Sequence, residues 1–231
     1  MLDLVHVSAS YGNSRALRDV SINVGSGELL CVLGRNGVGK TTLLRTIIGL
    51  MDRTTGSILL DGHELSRRRA DERARAGIGY VPQGRGILPR FTVLENLRLG
   101  LFANAAAVGR LDESVFDLFP ILREHLHRPG GNLSGGQQQQ LAIARALQTA
   151  PKVILMDEPT EGIQPNIVEE IEQIIIRLNR ERGISIILVE QNVAFARQAC
   201  RRFVIMEKGR IAATGSSAEL TEELVHRHMA V

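Results

Sequence analysis

The 231 residues, 44% of them hydrophobic, are enough for a full hydrophobic core and for one large domain or two small ones. The 28 basic and 25 acidic residues leave a net charge of only +3, which favours neither a nucleic-acid-binding protein nor an enzyme for acidic substrates. With no Trp and two Tyr, the chain also lacks the aromatic side chains on which single-stranded nucleic acid stacks. We therefore expect no nucleic-acid partner.

The sequence carries no sign of export or of membrane insertion. Its first residues lack the basic segment and long apolar core of a signal peptide, and no apolar run approaches the roughly eighteen residues of a membrane span. Cys31 and Cys200 have no metal-ligand spacing and are expected to be free thiols in a reducing compartment. The expectation is a cytoplasmic protein that works at a membrane only if other chains hold it there.

The first third of the chain predicts short strands. Apolar and polar residues alternate over 2–8 and again over 17–24, with a break at Tyr11-Gly12. Another strand is predicted at 57–60, before the tight-turn pair Asp61-Gly62. The arginines of 67–75 are interleaved with acidic residues and predict a solvated helix face.

A glycine-rich segment follows the apolar run 29–33 and precedes the predicted helix 42–50. It consists of Gly34, Arg35, Asn36, Gly37, Val38, Gly39, Lys40 and Thr41. A glycine followed after four residues by Gly-Lys-Thr, between a strand and a helix, is typical of a loop that binds a triphosphate with its backbone N–H groups. Lys40 would neutralise the terminal phosphates, and the Thr41 hydroxyl would ligate Mg²⁺. A turn that binds nothing would leave the Lys-Thr pair unexplained.

Helical periodicity replaces strand alternation between residues 84 and 150. Thr92 and Glu95 predict a capping box that opens a helix through about Phe102. Apolar residues at 111, 115, 118 and 119 predict a second helix, and Ser134 begins a third that runs through Leu147. We interpret 84–150 as a helical subdomain inserted into a core formed by 1–83 and 151–231, within one domain.

The last third returns to alternating strands and helices. It contains the apolar runs 153–156 and 184–189, an amphipathic helix over 165–182 and a hairpin that turns at Lys208-Gly209. This order predicts an α/β fold with a mainly parallel sheet, preceded by antiparallel strands.

Two carboxylates follow the apolar strand 153–156. Carboxylates at the carboxyl end of a parallel strand lie in the ligand crevice, so Asp157 is a candidate Mg²⁺ ligand and Glu158 a candidate base for an attacking water. The alternative is a carboxylate that only caps a helix. The presence of Lys40 and Thr41 upstream favours the functional interpretation.

A second candidate anion site begins the predicted helix after Leu133. Ser134 and Gln137 fit a capping box, but this leaves Gly135 and Gly136 unexplained, because glycine weakens a helix. Glycines and a hydroxyl at a helix N-terminus can bind a phosphate. One nucleotide loop and one separate anion site in a chain predict two chains that face each other head to tail.

The phosphate loop, the segments 133–137 and 80–83 and the pair Asp157-Glu158 together resemble the ATP-binding subunit of ATP-binding-cassette (ABC) transporters over essentially the whole chain. The resemblance implies a P-loop NTPase fold, ATP with Mg²⁺, membrane permease subunits, a second ABC ATPase subunit and a solute-binding protein. It implies that Tyr11 stacks on adenine and that Gln83 links Mg²⁺ and the attacking water to the helical subdomain. The implied nucleotide contacts are Gly34 to Thr42 and Ser134 to Gln137; Asp157 would assist the metal and Glu158 would be the base.

Finer features resemble one branch, the ATPases of branched-chain amino acid uptake. They are the segments 84–89, 158–165 and 189–192, while 137–140 and 160–165 are most similar to the urea or short-chain amide subtype. In two positions the chain departs from the family: Gln191 stands where a histidine usually contacts the γ-phosphate, and Gln164 stands where an aspartate usually crosses the dimer interface. Both departures predict slow hydrolysis by the chain alone and a heterodimer as the working form, with a homodimer left open.

Two other functions remain to be weighed. A soluble ABC-type ATPase that acts on DNA or ribosomes usually carries a coiled-coil insertion or a tandem cassette, and this sequence has neither. A nucleotide-dependent regulator without turnover would not need Glu158.

Overall fold

The computed structural model describes residues 1–107 and 109–229. The strands are β1 (Leu2–Tyr11), β2 (Ser14–Val24), β3 (Leu29–Leu33), β4 (Arg53–Leu60), β5 (His63–Glu64), β6 (Ile78–Val81), β7 (Val153–Asp157), β8 (Ser185–Val189), β9 (Arg202–Glu207) and β10 (Arg210–Ser216). The helices are α1 (Lys40–Ile48), α2 (Ala70–Ala76), α3 (Val93–Leu101), α4 (Val115–Leu118), α5 (Pro120–Glu124), α6 (Gly135–Leu147), α7 (Pro165–Arg180), α8 (Val193–Ala199) and α9 (Glu222–Met229).

Strands β1, β2, β4 and β5 form an antiparallel sheet in the order β2-β1-β4-β5. The alternating pattern of β1 and β2 turns one face of this sheet inward, where Leu2, Leu4 and Val20 are buried. This face packs in one hydrophobic cluster with Leu43 and Ile47 of α1. The predicted antiparallel strands are therefore confirmed, and they cover the helix that follows the phosphate loop.

The second sheet has six strands in the order β10-β9-β3-β8-β7-β6. All of its pairings are parallel except that between β9 and β10, which form the predicted hairpin. Every residue of β3, β7 and β8 is buried, as their continuous apolar runs predict for strands covered on both faces. Because these strands are parallel neighbours, the residues that follow them meet at one edge of the sheet.

Between β6 and β7 the chain is helical, as the sequence predicts. Thr92 caps α3 and Ser134 caps α6, and in each case a Glu or Gln three residues later completes the capping box. Cys31 and Cys200 are both buried and free. In the ranges given above, no helix combines the length and the apolar character that a membrane crossing needs.

The helix predicted over 111–119 is wrong in its extent, since α4 begins only at Val115. The buried Gln148 side chain accepts a hydrogen bond from the Asp112 N–H at 2.9 Å and donates one to the Asp112 carbonyl at 3.1 Å. This contact holds Asp112 outside a helix. Phe119, which precedes Pro120, then leaves helical geometry with φ −132° and ψ 67°, so a second short helix, α5, follows.

The solvated arginine face predicted over 67–75 is wrong for Arg73. Its side chain is buried and donates hydrogen bonds to the carbonyls of Thr46, Ile47, Ser66 and Arg68. Burial lowers the pKa of this guanidinium. Arg73 therefore satisfies the carbonyl end of α1 and ties α2 to it.

Candidate nucleotide-binding site

The phosphate loop joins β3 to α1 and places Lys40 at the first position of the helix. The Lys40 side chain is 4% exposed, and its ammonium donates hydrogen bonds to the carbonyls of Gly34 at 2.8 Å and Arg35 at 3.1 Å. Gly39 precedes the helix with φ 111°, a backbone conformation open to glycine. The first N–H groups of α1 are thus left to face the loop, which is the arrangement that binds phosphate.

A cavity of ≈580 Å³ opens over this loop, a volume that suits a nucleotide. The predicted residues that line it are Tyr11, Asn36, Gly37, Val38, Gly39, Lys40, Thr41, Thr42, Gln83 and Glu158. Gly34 and Arg35 lie beneath it, where they hold Lys40 through their carbonyls.

Asp157 ends β7 beside the phosphate loop and is fully buried. The Thr41 hydroxyl donates a hydrogen bond to one of its carboxylate oxygens at 3.2 Å, while the other oxygen is buried without a partner. Burial raises the pKa of Asp157 to about 6, and the Thr41 hydrogen bond opposes the shift. A hydroxyl and a carboxylate with an unused oxygen are the hard ligands that Mg²⁺ prefers.

Glu158 follows with φ 46°, unusual for a residue with a side chain and a mark of functional loops. Its carboxylate lies 3.4 Å from the Lys40 ammonium. The Gln191 amide donates to both of its oxygens, at 3.0 and 2.9 Å. The structure therefore brings together the predicted base, the phosphate-loop cation and Gln191, which stands where the resemblance implies a histidine.

Glu190 stabilises this group of residues through hydrogen bonds, although no sequence pattern identified it as a site residue. It is buried at the carboxyl end of β8 and accepts hydrogen bonds from the Thr160 hydroxyl at 2.8 Å and the Gln191 N–H at 3.1 Å. Burial raises its pKa. Glu190 thus joins the loop after β7 to the loop after β8, and only the tertiary contact reveals it.

Gln83 and Tyr11 both line the cavity. The Gln83 amide donates to Glu161 at 2.7 Å rather than to Asp157 or Thr41. Tyr11 is 42% exposed, and the Arg45 guanidinium lies 5.8 Å from its ring centroid. The ring is thus partly exposed where it lines the cavity.

The predicted second anion site lies elsewhere. None of Ser134, Gly135, Gly136 and Gln137 lines the cavity, and the Ser134 hydroxyl accepts from the Gln137 N–H at 3.3 Å as a helix cap. The structure also explains Gly136, because a Cβ there would lie 2.3 Å from a methyl carbon of Ile167 on α7. A Cβ on Gly135 would lie 3.0 Å from the Arg85 guanidinium. Close packing therefore accounts for Gly136 independently of any ligand, whereas the flexible Arg85 side chain could move aside at Gly135.

Several lining residues were missed by sequence patterns. They are Ser14, Arg15, Ala16, Arg18, Glu161, Lys208 and Gly209. They come from the β1–β2 hairpin, the segment after β7 and the β9–β10 turn, and neither their residue type nor their spacing indicates a ligand. Only the packing of the two hairpins against the phosphate loop identifies them.

Comparison with known proteins identifies the family. A family model described as "ABC transporter" matches residues 17–161. The high-affinity branched-chain amino acid transport ATP-binding protein BraG of Pseudomonas aeruginosa is 41% identical over 95% of this chain and 94% of its own length. The lipopolysaccharide export system ATP-binding protein LptB of Escherichia coli K12 is 36% identical over 94% of this chain and 91% of its own.

A solved structure of an ATP-binding cassette is also similar to this chain. A dimeric ATP-binding cassette in a post-hydrolysis state, bound to ADP and Pi, superposes with a TM-score of 0.83 over 94% of this chain and 99% of its own, at 29% identity. One conclusion follows from the strand order of the two sheets, the phosphate-loop cavity and these relatives. The chain belongs to the ABC transporter family and is one of its ATPase subunits.

Proposed function

We propose that this chain binds MgATP, pairs with a second ABC ATPase chain and powers solute import through separate membrane permeases. The observation that carries the proposal is the group formed by Lys40, Glu158 and Gln191 at the edge of a phosphate-loop cavity. It combines a cation for the terminal phosphates with a carboxylate that can accept a proton from water.

The residues fit a magnesium nucleotide. Thr41 and Asp157 would hold Mg²⁺, since the free Asp157 oxygen has no other partner, and Gln83 would join them after leaving Glu161. When bound, the metal supplies charge neutralisation on the phosphates. Phosphate would compete with Glu158 for Lys40, which would free the carboxylate to orient the water. Tyr11 would stack on adenine, and Gly34 to Thr42 would hold the phosphates.

A second chain would complete the site. Ser134 to Gln137 present a capped helix end that lies outside the chain's own cavity, so only another chain's nucleotide can meet it. Gln191 cannot become cationic as histidine can, and Gln164 lacks the charge of an aspartate. A related but different ATPase chain would supply what these positions lack. We therefore propose a heterodimer, with a homodimer as the alternative.

An apolar groove of ≈300 Å³ gives the permease a place to dock. Ile48, Ala74, Tyr80, Leu99 and Ala103 are among its lining residues, so it runs between the sheet core and the helices of 84–150. Phe102 beside it is 80% exposed. We propose that 84–150 is a helical subdomain that grips the permease, and that the chain is therefore peripheral on the cytoplasmic face of the membrane.

The other subunits would determine which solute is transported. The 41% identity to BraG favours branched-chain amino acids, and the segments 137–140 and 160–165 favour urea or short-chain amides. A periplasmic solute-binding protein would deliver either solute. Nothing in the residues or the relatives supports action on DNA or ribosomes.

The test is reconstitution of the chain with the permeases, the second ATPase and the binding protein encoded beside its gene. Uptake of labelled leucine, urea and acetamide into vesicles would be followed with and without ATP. ATP-dependent uptake of one of them supports the proposal, and its identity names the solute. ATP hydrolysis without uptake, or outward transport of lipid, would overturn the import function.

The same components test the heterodimer. ATPase rates are compared for this chain alone, for Gln191→His and for the chain mixed with its neighbouring ATPase. We expect a slow rate alone, a faster rate for Gln191→His and the fastest rate for the mixture. A fast rate alone that the neighbour does not raise would contradict the heterodimer.

A further inference from the structure

The turn between β9 and β10 forms a wall of the nucleotide cavity that no family motif covers. Lys208 and Gly209 both line the cavity beside the phosphate loop. We propose that Lys208 is a further nucleotide-binding residue, whose ammonium contacts the phosphate chain. This inference rests on the proposed binding of ATP in the same cavity.

The turn is fixed against the loop by backbone contacts. The Gly209 N–H donates to the Val38 carbonyl at 2.8 Å, and the Gly209 carbonyl accepts from the Arg18 N–H at 2.8 Å. A Cβ on Gly209 would lie 2.2 Å from the Ala16 carbonyl oxygen, so the backbones approach as closely as only glycine allows. Lys208 is therefore carried by a rigid turn that moves with the phosphate loop.

In the part of the chain that the structure describes, no carboxylate balances the positive charge of Lys208. Within the described ranges, Lys208 forms no ion pair, and neither do Arg15 and Arg18, which line the same cavity. The neighbouring Glu207 points to His228, with 3.6 Å between Oε2 and Nδ1. The carboxylates of the cavity, Glu158 and Glu161, are engaged by Lys40 and Gln83. Three unpaired cations around one cavity repel each other until a polyanion enters.

The position of Lys208 favours contact with the phosphates of a nucleotide over contact with its adenine. The Gly209 Cα lies 3.6 Å from where a Cβ of Gly39 would be, at the start of α1 and next to Lys40. Tyr11, the candidate adenine contact, is held instead beside Arg45. A flexible lysine next to the helix N-terminus would reach a phosphate oxygen as a point charge.

The test uses a variant that favours the same turn. Lys208 has φ 47° and Gly209 φ 77°, the positive values of a type I′ turn, in which Asn-Gly is preferred. Lys208→Asn therefore removes the charge and keeps the turn, Lys208→Arg restores the charge, and Arg210→Asn is a control on the same hairpin outside the cavity. Affinities for ATP, ADP and adenosine are measured by calorimetry at two salt concentrations.

We expect Lys208→Asn to weaken ATP and ADP binding by about threefold to tenfold, the value of one charge-assisted contact that solvent partly screens. Adenosine binding should not change, the salt dependence of ATP binding should fall, and Lys208→Arg should recover the affinity. Unchanged ATP affinity in Lys208→Asn, or an equal loss for adenosine, would overturn the inference. If the unmodified chain itself bound no ATP, the proposed function would fail instead.

Discussion

Glu158 is the residue whose substitution separates binding from hydrolysis. Glu158→Gln keeps the size of the side chain and its place beside Gln191 but removes the base, so nucleotide affinity should persist while turnover falls by about 100-fold or more. Single-turnover hydrolysis and size-exclusion chromatography with MgATP measure both effects, and the variant should accumulate an ATP-bound dimer. Glu169→Gln, an exposed glutamate of α7, is the matched control. Undiminished turnover with only monomer present would remove Glu158 from this role.

Asp157 should make the stability of the nucleotide-free chain depend on pH. Burial raises the pKa of its carboxyl from the ordinary value of 3.8 to about 6 in the folded chain, so the folded chain holds an extra proton between these values. The free energy of unfolding therefore falls as pH rises through this window. Asp157→Asn cannot ionise, so its stability does not fall in this way. It should exceed the original chain in stability by on the order of 3 kcal/mol at pH 7 but not below pH 4.

Urea unfolding with a metal chelator, from pH 4 to pH 7, measures this difference. Glu190, whose pKa is also raised by burial, is present in both chains, so its contribution cancels in the comparison. A stability difference that stays constant over the range would show that Asp157 is not the group responsible.

At the residue scale, spacing predicts that Lys40, Thr41 and Asp157 lie close together, because a phosphate loop and a strand-end carboxylate have a fixed geometry. It could not predict Glu190 or Lys208, since a glutamate after a strand and a lysine in a turn are common everywhere. Their places in the site follow from strand order and hairpin packing, which are long-range contacts.

In helix α6, close packing leaves no room for a Cβ at Gly136. In Gly136→Ala the new Cβ would meet the branched side chain of Ile167, and this overpacking should destabilise the chain by about 1–3 kcal/mol, more than the gain in helix propensity. Gly135→Ala meets only the end of the flexible Arg85 side chain and should cost less. Thermal unfolding compares the two variants, and Ile167→Ala should relieve the first. Equal effects of both alanines would contradict the packing account of Gly136.

The secondary-structure elements also show which features sequence patterns cannot predict. Capping boxes predicted the starts of α3 and α6 because a cap is a local interaction between residues three apart. The start of α4 was missed because Gln148, far along the chain, binds the backbone of Asp112. The buried Arg73 was missed for the same reason, since its partners are the carbonyls of another helix.

For the whole molecule, the apolar groove should decide attachment to the permease. Ala103→Glu places a charge in the groove that docking would desolvate, so copurification with the permease should fall at least tenfold, by roughly 1.4 kcal/mol or more. Ala194→Glu, at an exposed site of α8, is the matched control, and thermal unfolding checks that both variants are folded. Equal recovery of permease with both variants would place the docking surface elsewhere.

The assembled form follows from the sequence only in outline. The motifs of 34–41 and 133–137 predicted two phosphate-binding segments, and the structure shows that the second lies outside the cavity formed by the first. Neither the motifs nor the structure of one chain identifies the partner chain. The residues that would face it lie at helix ends and in loops, which do not specify the partner's sequence.

The most direct test of a site shared by two chains is to mix two inactive variants. Lys40→Ala removes the phosphate-loop cation and should abolish tight ATP binding at its own loop. Ser134→Asp keeps a good helix cap but repels phosphate from the segment 134–137. In a mixed dimer, one of the two sites joins an intact loop to an intact helix end. The ATPase rate of an equal mixture should therefore recover to about a quarter of the rate of the unmodified chain. A mixture as inactive as either variant by itself, under conditions in which the unmodified chain alone hydrolyses ATP, would contradict a site shared by two copies of this chain.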